Sequence, residues 1–379
     1  MNILIVTSRQ PDLRGKADQL TLAKAIEFLN DNGFSVETLV LKKNSPWTFE
    51  FWFSVLVGLC VLRPLQSSLF VNRYNKRRIK QLYASDRFDK VYFHLTRTSY
   101  YGKFVSPDTR YLGLQISQGL NFYRISGELP WGLKRLLYFT ESRLSLFYER
   151  RVVSRFVKTN LVGTQDLDYL NIAGELAKKM TVIPHGVDLE FESSSERLRD
   201  LVFLANFSSE ANLAALKLLE KLIMPAIWRD EPDTTISICG FNLPSEHSTK
   251  LYDQRVEYVG AVDDALATIS KHRILLNPVR AAAGMQNKVL AGLASGVPVV
   301  TMKRAVAGMS LPYPTCIACE SDPMVYAKNV VKLLRDYPEQ NVLRKVQENV
   351  ANDWSWESLH IRWSSEFLDC TLPDSKSDG

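Results

Sequence analysis

The chain is poor in the residues that staple small folds or bind metal: its 379 residues include five cysteines and five histidines. The cysteines stand at irregular spacings, which excludes a disulfide framework or a zinc-finger pattern and fits a reducing compartment. Cys316-Ile-Ala-Cys319 is a lone CxxC among β-formers and small residues, with no second Cys or His pair nearby. It reads as part of the fold, not as a metal or redox centre. The aromatic and aliphatic stretch 47–62 is free of charge only over 51–62, too short for a bilayer span of about 20 residues. Met1-Asn-Ile-Leu-Ile-Val6 lacks a basic leader and a cleavage site, so it reads as a first strand and not as a secretion signal. No GxGxxG follows the first strand of either half, which argues against an NAD(P) or FAD oxidoreductase.

What is present is an ordinary globular composition, 46% apolar and 23% charged. The length exceeds that at which one core usually keeps growing, so two domains of roughly 150–200 residues are expected. Strand patterns lie at 3–7, 36–41, 90–94, 111–116, 159–163 and 180–184, with helical periodicity between several of them. Residues 17–30, for example, place Leu22, Ile26 and Leu29 on one face, and Gly33 follows as punctuation. After the polar stretch 190–200, which reads as a linker, a second series runs through 201–204, 235–239, 256–259, 274–277 and 297–301. Strand–helix alternation repeated twice predicts two parallel-sheet α/β domains, with ligands at the carboxyl ends of the strands.

Charge is unevenly divided. Residues 1–185 hold 27 Lys+Arg against 15 Asp+Glu, and residues 186–379 hold 20 against 26. The first half therefore faces an anionic partner, nucleic acid or membrane. The fine pattern favours membrane. The 47–62 stretch is followed by Arg73, Lys76, Arg77, Arg78 and Lys80, and 131–158 mixes Arg143, Arg150, Arg151 and Arg155 with apolar residues. Apolar surface beside basic clusters suits a peripheral protein on anionic lipid. The plainer alternative is a buried helix at 51–62 and solvated arginines.

The most informative stretch runs from Ala282 to Val300. It reads as a loop, a helix with Met285, Val289 and Leu293 on one face, a cap at Gly296 and a buried strand. Lys288 is its odd residue. A cation in the first helical turn opposes the macrodipole, at roughly 0.3–1 kcal/mol. A bound phosphate would reverse that sign, because free N–H groups and the ammonium would converge on it. A solvated surface lysine is the alternative.

Taken in order, Ile183-Pro-His-Gly-Val-Asp188, residues 201–207, Val259-Gly-Ala-Val-Asp263, Gly284-Met-Gln-Asn-Lys-Val289 and Ala294-Ser-Gly-Val-Pro-Val-Val300 resemble a GT-B glycosyltransferase. The nearest likeness is to bacterial family 4-type exopolysaccharide sugar transferases. Arg14-Gly-Lys-Ala-Asp-Gln19, Arg63-Pro-Leu65, Phe88-Asp-Lys-Val-Tyr-Phe-His-Leu-Thr-Arg97 and Tyr148-Glu-Arg-Arg151 fit it too. Asp353-Trp-Ser-Trp-Glu357 is similar to the segment leading into the family's closing helix. The resemblance implies two Rossmann-like domains facing across a cleft, with a C-terminal helix crossing back. The domains would be 1–185 (acceptor-binding and membrane-facing) and 186–352 (nucleotide-sugar-binding), with 353–379 the crossing helix and tail. It further implies sugar transfer from a UDP- or GDP-sugar to a lipid-linked or polysaccharide acceptor in cell-surface polysaccharide synthesis. That transfer would retain configuration and need no metal or cofactor. It would take place on the inner face of the bacterial cytoplasmic membrane, with no nucleic-acid partner.

Residue by residue, the resemblance gives Asn287 and Lys288 the diphosphate, with Gly284, Met285 and Gln286 shaping the turn and Arg280 a second cation. Val259, Gly260 and Val262 match the loop that meets the base, and Gly15 would close over the phosphates. Asp18, Gln19, His94 and Arg97 would line the acceptor side. Lys288, Asp18 and His94 are the catalytic candidates. A dipole partner is the alternative for Asp18, and a satisfied structural histidine for His94. Bond cleavage leaves negative charge on the nucleoside diphosphate, and one aimed contact there is worth roughly 3 kcal/mol.

The chain departs from the family at two glutamates that contact donor sugar and ribose, whose positions hold Ala283 and Ala291. An aspartate expected after the 111–116 strand is also missing, with Ser117 and Gln118 nearby. Loss of the ribose acceptor would cost about 1.5–3 kcal/mol of binding. A catalytically degenerate homologue acting as a membrane-bound scaffold is therefore the alternative function.

Overall fold

The computed structural model describes residues 1–13, 15, 17–189, 199–243, 253–281, 286–306 and 314–372. The chain divides into two compact units, residues 1–184 together with the segment from Leu359 on, and residues 185–358. Each is a parallel six-stranded α/β domain, as the double alternation predicted.

In the first unit the strands are β1 (Asn2–Thr7), β2 (Ser35–Val40), β3 (Lys90–His94), β4 (Arg110–Gln115), β5 (Thr159–Leu161) and β6 (Met180–Val182), in the order β2-β1-β3-β4-β5-β6. Helices cover both faces, so β1 is apolar on both sides. Its Leu4 and Val6 join Val91, Phe93, Leu112 and Leu114 in one core, and Ile3 and Ile5 join Tyr92 and Tyr111 in the other. Helix α1 (Ala17–Asp31) adds Leu22, Ala25 and Leu29 to the second core.

Residues after Leu359 complete that second face. Trp363, Phe367 and Leu368 are buried in it, and the Trp363 ring meets Tyr92 edge-on at 5.3 Å. Polar contacts fix the register. Lys158 pairs with Asp369 at 2.5 Å, Tyr111 donates to the same carboxylate at 3.1 Å, and Lys90 donates to the Leu368 and Asp369 carbonyls.

The second unit has the order β12-β11-β10-β7-β8-β9, with β7 (Arg199–Leu204), β8 (Ile236–Cys239), β9 (Val256–Gly260), β10 (His272–Asn277), β11 (Val299–Met302) and β12 (Cys316–Cys319). The sequence pattern did not single out β12. It contains the CxxC, whose two thiols project to opposite faces of the sheet: Cys319 lies in one core and Cys316 packs against the other. That placement separates them. No metal-binding cluster occurs among the described residues. At the start of this unit Val187 pairs with Ser355, and its amide donates to the Trp354 carbonyl at 2.9 Å. A Cβ on Gly186 would lie 2.6 Å from the Trp356 backbone, so that position is restricted to glycine.

The apolar stretch 47–62 is not a buried helix. Helix α2 (Phe49–Cys60) buries Ser54 and Gly58 and exposes Phe49, Trp52, Phe53, Leu56 and Leu59. Gly58 is what lets this inverted helix sit down: a Cβ there would be 2.2 Å from the Ser68 hydroxyl. Helix α3 (Leu65–Ser68) supplies that serine, and Glu141 of a later helix accepts from the Leu65 and Gln66 amides at 3.1 and 3.2 Å. That later helix, Leu133–Val153, likewise exposes Leu133, Leu136 and Leu137 while burying Ser142 and Ser145. No helix among the described residues is long and apolar enough to cross a membrane.

Candidate functional site

Strand order in the second unit reverses between β7 and β10, and ligands of open parallel sheets bind beyond the carboxyl ends at such a point. Two side chains meet there. The chain leaves β10 and starts the helix Asn287–Ala294, whose second residue is Lys288. Its ammonium lies over the Phe203 ring of β7, 5.4 Å from the centroid. The nitrogen is buried and has no hydrogen-bond partner among the described residues. Burial without a counter-charge pushes the Lys288 ammonium down to about 8. The solvated-lysine alternative therefore fails. Gln286 is the helix N-cap, but its side chain makes no capping bond, so the first-turn amides keep no side-chain acceptor from that residue. A buried cation and amides without a side-chain cap thus belong to the same first turn, a combination suited to an anion.

The other donor-side residues surround this point unevenly. Gln286 and Asn287 are half-buried at the helix start. Arg280 donates to the Ser321 carbonyl at 2.5 Å, and its buried Nε has no partner among the described residues. Val259 is exposed, Val262 packs against the core beneath the helix, and Gly260 ends β9 at φ +83° with open space beside it. The backbones of β8 and β9 are tied here, the Gly240 amide to the Gly260 carbonyl at 2.6 Å and the Tyr258 hydroxyl to the Gly240 carbonyl at 2.7 Å. Gly284 and Met285 lie outside the described residues, as does Ala283. Ala291 is partly buried against the core that holds Val289 and Leu293, so its methyl supplies packing where a carboxylate was expected.

The first unit reverses strand order between β1 and β3, and its candidates gather there. Asp18, in the first turn of α1, receives two bonds from Arg9, each 2.9 Å, and stands 3.7 Å from the Arg97 guanidinium. Burial, and then Arg9, lowers the Arg97 pKa, while Asp18 opposes the shift. His94 is 1% exposed, with Nδ1 at 3.0 Å from the Tyr92 hydroxyl and Nε2 at 3.1 Å from the Asp18 carbonyl. Both ring nitrogens are thus engaged by the protein, the arrangement of a structural histidine. Gln19 donates to the Gln10 carbonyl at 2.8 Å. Gly15 has a local reason to be glycine, since a Cβ would come within 2.8 Å of the Gln19 side chain.

Three residues escaped sequence reasoning. Arg9, two positions past β1, carried a usable signal in being a cation at a strand's carboxyl end. Gly240 follows β8 in the same way. Glu149 stood inside the quoted Tyr148-Glu-Arg-Arg151 motif, but its place within a helix gave no sign of its role. It is fully buried, accepts from Ser117 Oγ, the Gln118 amide and Thr96 Oγ1 at 2.8, 2.8 and 3.2 Å, and is pushed up by burial to about 7. It anchors the turn after β4, where an aspartate was missed.

Comparison with known proteins bears on the fold that carries this site. Residues 199–336 match the family model described as Glycosyl transferases group 1. A comparison with curated proteins gave no match. Among solved structures, sucrose-phosphate synthase from Thermosynechococcus elongatus superposes with a TM-score of 0.68 at 13% identity, covering 97% of this chain and 99% of its own. HepE from Anabaena, solved with UDP and glucose, gives 0.63 at 13% identity over 97% and 99%. A glycosyltransferase from Rickettsia africae gives 0.64 at 12% identity over 99% of each chain. At such identity the likeness establishes the fold, which is GT-B.

Proposed function

We propose that this GT-B chain, whose second unit carries the group 1 glycosyltransferase match, transfers a sugar from a nucleoside-diphosphate sugar to a glycan acceptor. The observation that carries the reading is Lys288: a buried ammonium without a hydrogen-bond partner among the described residues, in the first turn of an uncapped helix beside the strand-order switch. HepE has been solved with UDP and with UDP-glucose, which supports UDP as the nucleotide to test first.

In this reading the diphosphate of the donor sits on Lys288 and the Gln286–Lys288 amides, with Arg280 as the second cation. Cleavage of the anomeric C–O bond returns the electron pair to the diphosphate oxygen, and Lys288 neutralises the charge that develops there. Transfer is retaining and metal-independent, the leaving phosphate oxygen taking the acceptor's proton. Asp18 and Arg97 orient the acceptor from the first unit, and His94 acts by holding the start of α1. The acceptor is lipid-linked, and the inverted helix α2 with its basic neighbours rests on an anionic membrane at the cytoplasmic face. The exposure of Trp52, Leu56 and Leu59 supports that placement.

A panel of UDP- and GDP-sugars screened by thermal shift, followed by a transfer assay to lipid-linked acceptor extract, tests this function. A saturating donor at 100 times its dissociation constant adds about 2.7 kcal/mol. No shift with any nucleotide would sink the reading. Binding without transfer or hydrolysis would instead favour the degenerate scaffold, which Ala291 supports by filling the place of a ribose acceptor with a methyl.

A further inference from the structure

The first unit contains a cavity of about 900 Å³ that the donor and acceptor residues do not touch. It lies beneath the inverted helix, and Phe53, Val57 and Val61 form its apolar wall. Much of the remaining lining is cationic. Arg73 and Lys76 come from the helix Arg73–Tyr83, Lys103 from the turn before β4, and Arg151 and Arg155 from the end of the helix Leu133–Val153 and just beyond. None of these five makes an ion pair among the described residues. The one carboxylate in the lining, Glu50, is already engaged by the Arg73 amide at 2.7 Å. The single Glu50 charge offsets at most one of the five, so the lining keeps an excess of positive charge.

The pairing of walls specifies the ligand. An apolar side alone would suit a peptide helix, and a basic side alone would suit any polyanion. Here the apolar lining is itself open to solvent and continues into the exposed Trp52, Leu56 and Leu59 of the same helix. A ligand that fits both has a phosphate at one end and hydrocarbon at the other. The volume is that of an ordinary small-molecule site, enough for one headgroup and the first carbons of its chains. Nucleic acid would leave the Val57 and Val61 surface unused.

We propose that this cavity binds the headgroup phosphate of a single anionic phospholipid, whose acyl chains leave along α2 into the membrane. The site is distinct from the acceptor residues Asp18 and Arg97, and it makes membrane attachment a stoichiometric event in addition to a diffuse electrostatic one.

The experiment compares two charge reversals in the full-length chain. Lys103→Glu with Arg151→Glu alters the cavity. Arg77→Glu with Arg78→Glu alters the same basic surface outside it, since neither residue lines the cavity. Binding is measured by sedimentation with vesicles of one part phosphatidylglycerol to two parts phosphatidylcholine, and by native mass spectrometry with short-chain phosphatidylglycerol. We expect the cavity pair to lose vesicle affinity about tenfold or more and to lose the one-lipid adduct, while the outer pair keeps the adduct. Equal losses from both pairs, or no one-to-one adduct in the unaltered chain, would overturn the proposal, as would a cavity occupied by oligonucleotide in preference to lipid. The UDP-induced thermal shift is read on every variant. It reports folding and donor binding independently, so failure of the lipid site and failure of the transferase reading remain separate results.

Discussion

The ammonium of Lys288 lies 5.4 Å from the ring centroid of Phe203 and has no hydrogen-bond partner among the described residues. A cation–π contact of this kind returns about 0.5–2 kcal/mol, less than a buried ammonium forgoes in hydration. Nothing among the described residues therefore compensates the charge, and in the proposed reading the donor's diphosphate does.

Lys288→Met separates that unmet cost from the function. Removing an unsatisfied buried donor stabilises the unliganded protein by about 1–3 kcal/mol, so Tm rises. The same substitution abolishes the thermal shift with UDP. A variant that is destabilised and still binds nucleotide would refute the assignment.

The pH dependence has a definite sign. Burial holds Lys288 at about 8, below its ordinary 10.5, so within that window the unfolded chain retains a proton that the native one has released. Stability of the unliganded protein contributed by this group accordingly rises with pH across the window. A bound diphosphate pulls the proton back. Nucleotide binding should take up protons at pH 8.5 to 9.5 and weaken as pH climbs, which calorimetry in buffers of different ionisation enthalpy will detect. Binding without proton uptake in that range would contradict the site.

Asp18→Asn addresses the acceptor side. The carboxylate is what holds Arg9 and Arg97 together, and its charged hydrogen bonds are worth about 1.5–3 kcal/mol. Transfer should fall roughly ten- to a hundredfold, while the donor-induced shift stays as it was. Loss of donor binding in this variant would show that Asp18 acts through the fold.

Two glycines near the donor site should respond differently to alanine. Gly240 stands at φ +143°, and a Cβ would be 1.6 Å from the Ala205 carbonyl oxygen, so Gly240→Ala costs about 3 kcal/mol or more. Gly260 stands at φ +83° with nothing within 4 Å, so Gly260→Ala carries only the backbone penalty of about 1–2 kcal/mol. Urea unfolding of both variants checks the contrast.

Local sequence made much of this protein legible. Alternating apolar runs and capping signals determine the strands and helices of both sheets, because each depends on neighbours within a few residues. Gly296, at φ +68°, and the first-turn position of Lys288 were readable for that reason. The strand Cys316–Cys319 was not, since only Ile317 of its four residues is β-branched, whereas 201–204 and 274–276 are wholly aliphatic or aromatic. Tertiary structure alone decided the rest. Whether Lys288 was solvated or buried depended on Phe203, 85 positions earlier, meeting it across β7 and β10. Whether 51–62 was core or surface depended on Ser68 filling the space beside Gly58 and turning the apolar face outward. Both are contacts between distant segments. Hydrophobic pattern specifies that a face is apolar, and only the packing partner specifies which way it points.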